Sequence, residues 1–139
     1  MKIQGHWLPT LFLMLGSVAQ LSLGQSADIK VKVPFAFNVA QAQLPAGAYV
    51  LSSASGKIAI RDSQGKTVAM ALANKADRER ADKAARAIFE CYGDRCFLSQ
   101  FWSAGGNEGA RLVRSSVEIK IAAKQTGQYF AVMASPAQQ

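Results

Sequence analysis

The sequence predicts an all-β, mainly antiparallel domain: a small sandwich or partly open barrel of about seven strands, with room for one C-terminal helix. Three observations predict it. Short runs alternate apolar and polar residues with a period of two, as in Ile29-Lys30-Val31-Lys32-Val33. Turn-forming residues punctuate those runs at Pro45-Ala46-Gly47, Ser55-Gly56, Asp62 to Gly65 and Gly93-Asp94. The one long helix-prone stretch, residues 74–85, carries charge and alanine but no apolar stripe to bury.

The chain opens with a segment outside that domain. Lys2 gives a short positive start, residues 8–18 are apolar, and Ser22-Leu23-Gly24 places small residues where a signal peptidase reads. Cleavage is expected between Gly24 and Gln25. The run falls short of the ~20 apolar residues of a spanning helix, and Gly16, Ser17, Gln20 and Ser22 interrupt its second half. No transmembrane anchor is therefore expected after cleavage. The expected organisation is a signal peptide over 1–24, a single β-rich domain over 25–135 and a disordered tail over 136–139. Removing 24 of 139 residues leaves 115, enough for one core without a metal.

Residues 29–33 form the first strand, one face apolar and the other basic. Pro34 cannot donate to a ladder, which marks an edge or a bulge; Phe35, Phe37 and Val39 resume the alternation. Leu44-Pro45-Ala46-Gly47 is a turn, because proline presets its φ and glycine accepts a positive one. Tyr49-Val50-Leu51 starts the next strand. Residues 56–73 read as a hairpin: Ile58 and Ile60, the turn Asp62-Ser63-Gln64-Gly65, then Val68, Met70 and Leu72 on the return. Residues 74–85 read as a solvated loop and an early site of proteolysis.

The hairpin over 87–102 is the clearest element. Gly93-Asp94 fits a two-residue turn with glycine at its first central position. Counting outward pairs Tyr92 with Arg95, Cys91 with Cys96, Glu90 with Phe97, Phe89 with Leu98 and Ile88 with Ser99. Cys91 and Cys96 then form a non-hydrogen-bonded pair with Cα atoms ~4.5 Å apart, near the short end of the disulfide range. Phe89, Cys91, Cys96 and Leu98 share the core face. Residues 103–109 are a glycine-rich loop. Beyond it, Ser115-x-x-Glu118 is a capping-box pattern that opens a helix through Lys124, whereas Val117, Ile119 and Ile121 alternate as a strand does; the capping box tips the reading toward the helix. Residues 129–134 form a last strand.

Several chemistries find no support. The chain's only histidine, His6, leaves with the signal peptide. Without it, Ser-His-Asp and Cys-His arrangements and the commonest transition-metal ligand are absent. No metal or cofactor is expected. Cys91-x4-Cys96 is neither a zinc half-site with a second pair nor a Cys-x-x-Cys centre, so in an exported protein it reads as a structural disulfide. A carboxylate pair for glycoside hydrolysis is open to Asp62, Glu90, Asp94, Glu108 and Glu118. Asp62 and Asp94 already have turn roles, and Glu90 is expected to be solvated or paired with a nearby Lys or Arg. Formal net charge is +7, or +6 without Lys2. It serves solubility or draws the protein to anionic envelope polymers; no motif points to nucleic acid. Tyr92, Phe97, Phe101 and Trp102 on the hairpin are either a second packed layer or, with Arg95, a binding surface.

Val33-Pro34-Phe35-x-Phe37, Leu44-Pro45-Ala46-Gly47-x-Tyr49 and Tyr92-Gly93-Asp94-Arg95-x-Phe97-Leu98-Ser99-x-x-Trp102 together resemble a group of small exported bacterial proteins that carry signal peptides. The resemblance covers most of the mature chain. It implies export and a β-rich fold, and it implies no activity. The expectation is an exported, periplasmic or secreted, non-catalytic module that binds a partner protein or an anionic envelope polymer. The alternatives are a carrier of a small apolar ligand inside a barrel, and a carboxylate-dependent hydrolase.

Overall fold

The computed structural model describes residues 28–77, 84–104 and 108–135. The signal segment with its Gly24–Gln25 junction, most of the charged stretch at 78–83 and the tail at 136–139 lie outside the described residues.

The described chain is an open β-barrel of ten strands with one short helix. Strands β1 (Asp28–Val33), β4 (Gly47–Ala54), β5 (Lys57–Arg61) and the first part of β6 (Thr67–Asp77) form an antiparallel meander. The second part of β6 passes into the other half, pairing with β9 (Glu108–Leu112). From there the order runs through β8 (Arg95–Trp102) and β7 (Arg86–Tyr92) to β10 (Gln128–Met133). The circuit is left open between β10 and β1, which meet at a single bridge, Val31 with Ala134, and one backbone bond from Ser135 N to Lys30 O. The short strands β2 (Phe37–Val39) and β3 (Ala42–Leu44) pair with each other, and β2 joins β8 in parallel through Asn38 and Phe97. Asn38 Nδ2 fixes that junction by donating to Cys96 O at 3.2 Å.

The turns follow their residue chemistry. Ser55 and Gly56 have φ of +53° and +77°, the sign that a tight two-residue hairpin turn demands. Asp62 Oδ1 accepts from Gln64 N and Lys66 N at 2.9 and 3.0 Å, which stiffens the next turn. Tyr49 donates its hydroxyl to Pro45 O at 2.6 Å, so the strand after the Leu44 to Gly47 turn locks the turn itself. Pro34 ends β1, which lies at the edge of the sheet order as the proline implies, and the chain then crosses to the other half of the barrel to form β2.

Inside, Val31, Val33, Phe37, Val39, Leu51, Ile58, Ile60, Phe89 and Phe101 are fully buried. Phe37 packs edge-on to both Tyr49 and Phe89, with ring centroids 5.3 and 5.2 Å apart, and Phe35 packs on Phe89 at 5.1 Å. The return strand of the first hairpin turns the opposite way from a size-based reading. Ala69 and Ala71 face the core, while Met70 and Leu72 are 54% and 62% exposed. The cause is cross-strand volume: Ile60 stands opposite Ala69 and Ile58 opposite Ala71, so small residues fit where the isoleucines already fill the space.

Two loop expectations are corrected. Residues 74–77 are strand, paired residue for residue with β9, and Glu108 and Gly109 belong to β9. Pairing partners override local helix propensity there. Gly109 is required by packing: a Cβ at that position would stand 2.6 Å from Trp102 Cε3.

Candidate functional site

The β7–β8 hairpin forms as expected around Gly93, whose φ is +64°. Cys91 and Cys96 are disulfide-bonded with Cα atoms 4.0 Å apart. The register departs from the expected one at a single place. Ile88 pairs with Gln100, and Ser99 is an extra residue on β8. This bulge exchanges the faces of the strand's end. Phe101 joins the main core beside Leu98, and Gln100 and Trp102 turn to the other face with Glu90, Tyr92 and Phe97.

That second face is a packed layer. Tyr92, Phe97 and Trp102 are buried on it, as Phe101 is in the main core, and Tyr92 meets Phe97 edge-on at 6.0 Å. They are interior residues, which corrects the binding-surface reading; only Arg95 remains exposed, its guanidinium 5.8 Å from the Phe97 ring centroid. Trp102 Nε1 donates to Gln100 Oε1 at 3.0 Å, so the indole N–H is satisfied within the layer.

The segment after β9 covers this layer with charge as well as carbon. Helix α1 (Ser116–Ala122) starts where the capping signal placed it, with Ser115 Oγ accepting from Glu118 N at 3.2 Å. The reciprocal half of the box does not form. Glu118 turns inward, accepting from Tyr92 Oη at 3.1 Å, and it is the one buried residue of the helix. Arg114, just before the cap, places Nη2 on both oxygens of Glu90 at 3.1 and 2.8 Å and Nε 3.5 Å from Glu118 Oε2. Glu90 and Glu118 are each only 5% exposed. One guanidinium thus bridges a carboxylate on β7 and another on α1. Gly127 closes the cluster from the far side, where a Cβ would stand 2.6 Å from Glu90 Oε1 and 2.9 Å from Tyr92 Cε1.

Titration follows from this crowding. Burial pushes the Glu118 carboxyl above its ordinary range, and Glu90 adds to the push; the Tyr92 bond and Arg114 work against it. Tyr92 is raised by burial and then by its two carboxylate neighbours. Arg114 is raised by its bond to Glu90.

In front of the cluster lies a cleft of about 290 Å³. Its walls are Leu98, Ser99 and Gln100 from β8, Arg111 and Leu112 from β9, Arg114, Glu118 from α1 and Tyr129 from β10. Glu90 sits behind Arg114 and does not line it. Of the five acids considered for hydrolysis, Glu90 and Glu118 come together; Asp62 holds its turn, Asp94 lies exposed in the hairpin turn, and the side chain of Glu108 lies outside the described residues. Both Glu90 oxygens are engaged by Arg114, so Glu90 is held in a clamp, and Glu118 is the carboxylate that lines the cleft. Among the described residues, no three His, Cys, Asp or Glu side chains converge on a point that could hold a metal ion.

A second groove, about 380 Å³, lies on the outer face of β1, β4 and β5 beside Lys30, Lys32 and Arg61, over Ala48 and Val50. Arg61 is held there by Asp28 at 3.0 Å and Ser52 Oγ at 2.8 Å. Sequence reasoning missed Arg114, Gln100, Gly127 and Tyr129. Two signals were present: Arg114 and Glu118 are an i, i+4 opposite-charge pair, and Glu90 is the single charge within Ala87 to Tyr92.

No family profile, no curated protein and no solved structure matches this chain.

Proposed function

We propose that this protein is an exported, non-catalytic module that binds an anionic polymer of the cell envelope. The observation that carries the reading is how the fold distributes charge. The chain has 16 Lys and Arg against nine Asp and Glu. Two of those acids, Glu90 and Glu118, are withdrawn into the interior. Outside, Lys30, Lys32, Arg111, Lys120 and Lys124 are exposed, and the first two border the outer groove of the sheet. A surface more basic than its composition attracts polyanions, with an attraction that salt screens. The disulfide and the signal-like N-terminus support export, and so does the resemblance to small exported proteins. The carrier reading has less support, because the ring cluster of Phe35, Phe37, Tyr49 and Phe89 occupies the barrel interior. The hydrolase reading has less support because Glu90 is spent on Arg114.

The test is co-sedimentation of the mature protein with peptidoglycan and with lipopolysaccharide vesicles. Binding at low salt that is lost at high salt is the expected result. No binding to either at low salt overturns the proposal.

A further inference from the structure

We infer that the cleft between β8, β9, α1 and β10 is a subsite for a carboxylated saccharide unit, read by Arg111 and Arg114. This rests on the reading of the protein as a binder of anionic envelope polymer, and it names the place and the chemistry of recognition.

A flexible arginine loses side-chain entropy when it captures an anion. Here Glu90 holds Arg114 Nη2 through two bonds and Glu118 lies beside Nε, so the guanidinium plane is set before any ligand arrives. The side chain nevertheless stays 46% exposed, and the residue lines the cleft, which leaves the Nη1 end of the fork for a ligand. Arg111 supplies a second guanidinium on the neighbouring wall. Two arginine forks in one small cleft suit a planar oxyanion.

The remaining walls narrow the class. Glu118 on the wall and Glu90 behind Arg114 temper the charge of the two guanidinium groups, so recognition here calls for more than a bare anion. Glu118 offers an acceptor, and Ser99 and Gln100 offer both donors and acceptors, which suits a ligand rich in hydroxyl groups. Tyr129 lines the cleft and is 59% exposed, so its ring offers an apolar surface to lie against a sugar ring. A volume of about 290 Å³ takes one sugar unit with its substituents. An acidic saccharide satisfies all of these groups; a phosphate ion or a neutral sugar satisfies only some.

The experiment is titration calorimetry of the mature protein with three probes: a galacturonic acid trimer, a neutral maltotriose and inorganic phosphate. Saturable binding of the acidic trimer, at least tenfold tighter than either other probe, is expected. Arg111→Ala and Tyr129→Ala, both exposed positions, should each weaken it at least tenfold with an unchanged circular dichroism spectrum. The double variant Lys30→Ala/Lys32→Ala should bind the trimer as well as the parent does. Equal binding of phosphate shows a plain oxyanion site and overturns the saccharide assignment. Trimer binding that survives Arg111→Ala and Tyr129→Ala overturns the location. If no probe binds while peptidoglycan or lipopolysaccharide still co-sediments, the subsite falls and the broader function stands; if both fail, both fall.

Discussion

Replacing Arg114 by methionine removes the charge that bridges β7 and α1 while keeping most of the apolar stem. Glu90 and Glu118, each 5% exposed, are then left as buried carboxylates without their shared cation. Breaking a fully buried pair costs about 3–5 kcal/mol. Arg114 is 46% exposed, so water reaches part of the site and the cost is reduced to about 2 kcal/mol. For a domain of this size that is a loss of roughly 8 °C in Tm. The loss has a pH signature. Burial already raises the folded pKa of Glu118, so the native state holds a proton that the unfolded chain releases, and stability falls as pH rises through that window. Without Arg114 to oppose it, the rise grows. The stability deficit of Arg114→Met should therefore shrink on going from about pH 7 to about pH 5. Urea unfolding at both values measures it, and Glu90→Gln in the Arg114→Met background should recover part of the loss. A deficit below about 0.5 kcal/mol, or one that does not change with pH, would refute the clamp.

Other outcomes follow from single contacts. Gly127→Ala places a methyl group against Glu90 and Tyr92 and should cost about 1–3 kcal/mol, with altered near-ultraviolet dichroism as Tyr92 shifts. Tyr49→Phe removes the bond to Pro45 O and should cost about 1 kcal/mol in urea unfolding. Tyr49 and Tyr92 are both raised above the ordinary tyrosine range, so the native state keeps protons that the unfolded chain loses; stability should drop as pH climbs past about 10, and less steeply in Tyr49→Phe. Reducing Cys91–Cys96 opens a short loop and should cost about 2 kcal/mol without loss of the far-ultraviolet β spectrum. Expressed whole in a bacterial host, the protein should be recovered from the periplasm with a mass that begins at Gln25.

The hairpin around Gly93 was legible because its turn chemistry and its cysteine spacing demand the same register. That register slipped at Ser99 because Phe97, Leu98, Gln100, Phe101 and Trp102 are buried on both sides of the strand, leaving no alternation to read. Strand β6 misled twice. Its larger residues face out because Ile58 and Ile60 occupy the space opposite the alanines, and its charged end is strand only because β9 pairs with it. The start of α1 was legible through Ser115 and Glu118; its means of attachment was not. A helix docked by a buried glutamate has no apolar stripe to find, and the exposed Val117 and Ile119 imitate a strand. Glu90 was expected to be solvated or paired; it is paired and buried. The partner lies 24 residues away, brought there by the fold.

An acidic saccharide bound in this cleft should be held and left uncut. One nuclear magnetic resonance titration tests both halves: backbone amides of the isotope-labelled mature protein are followed as galacturonic acid trimer is added, and the sugar's own signals are followed afterwards. Saturable shifts at Ser99, Gln100, Arg111 and Tyr129 are expected, with the trimer intact after prolonged incubation. Shortened sugar products, or shifts confined to the outer face at Lys30 and Lys32, would contradict it.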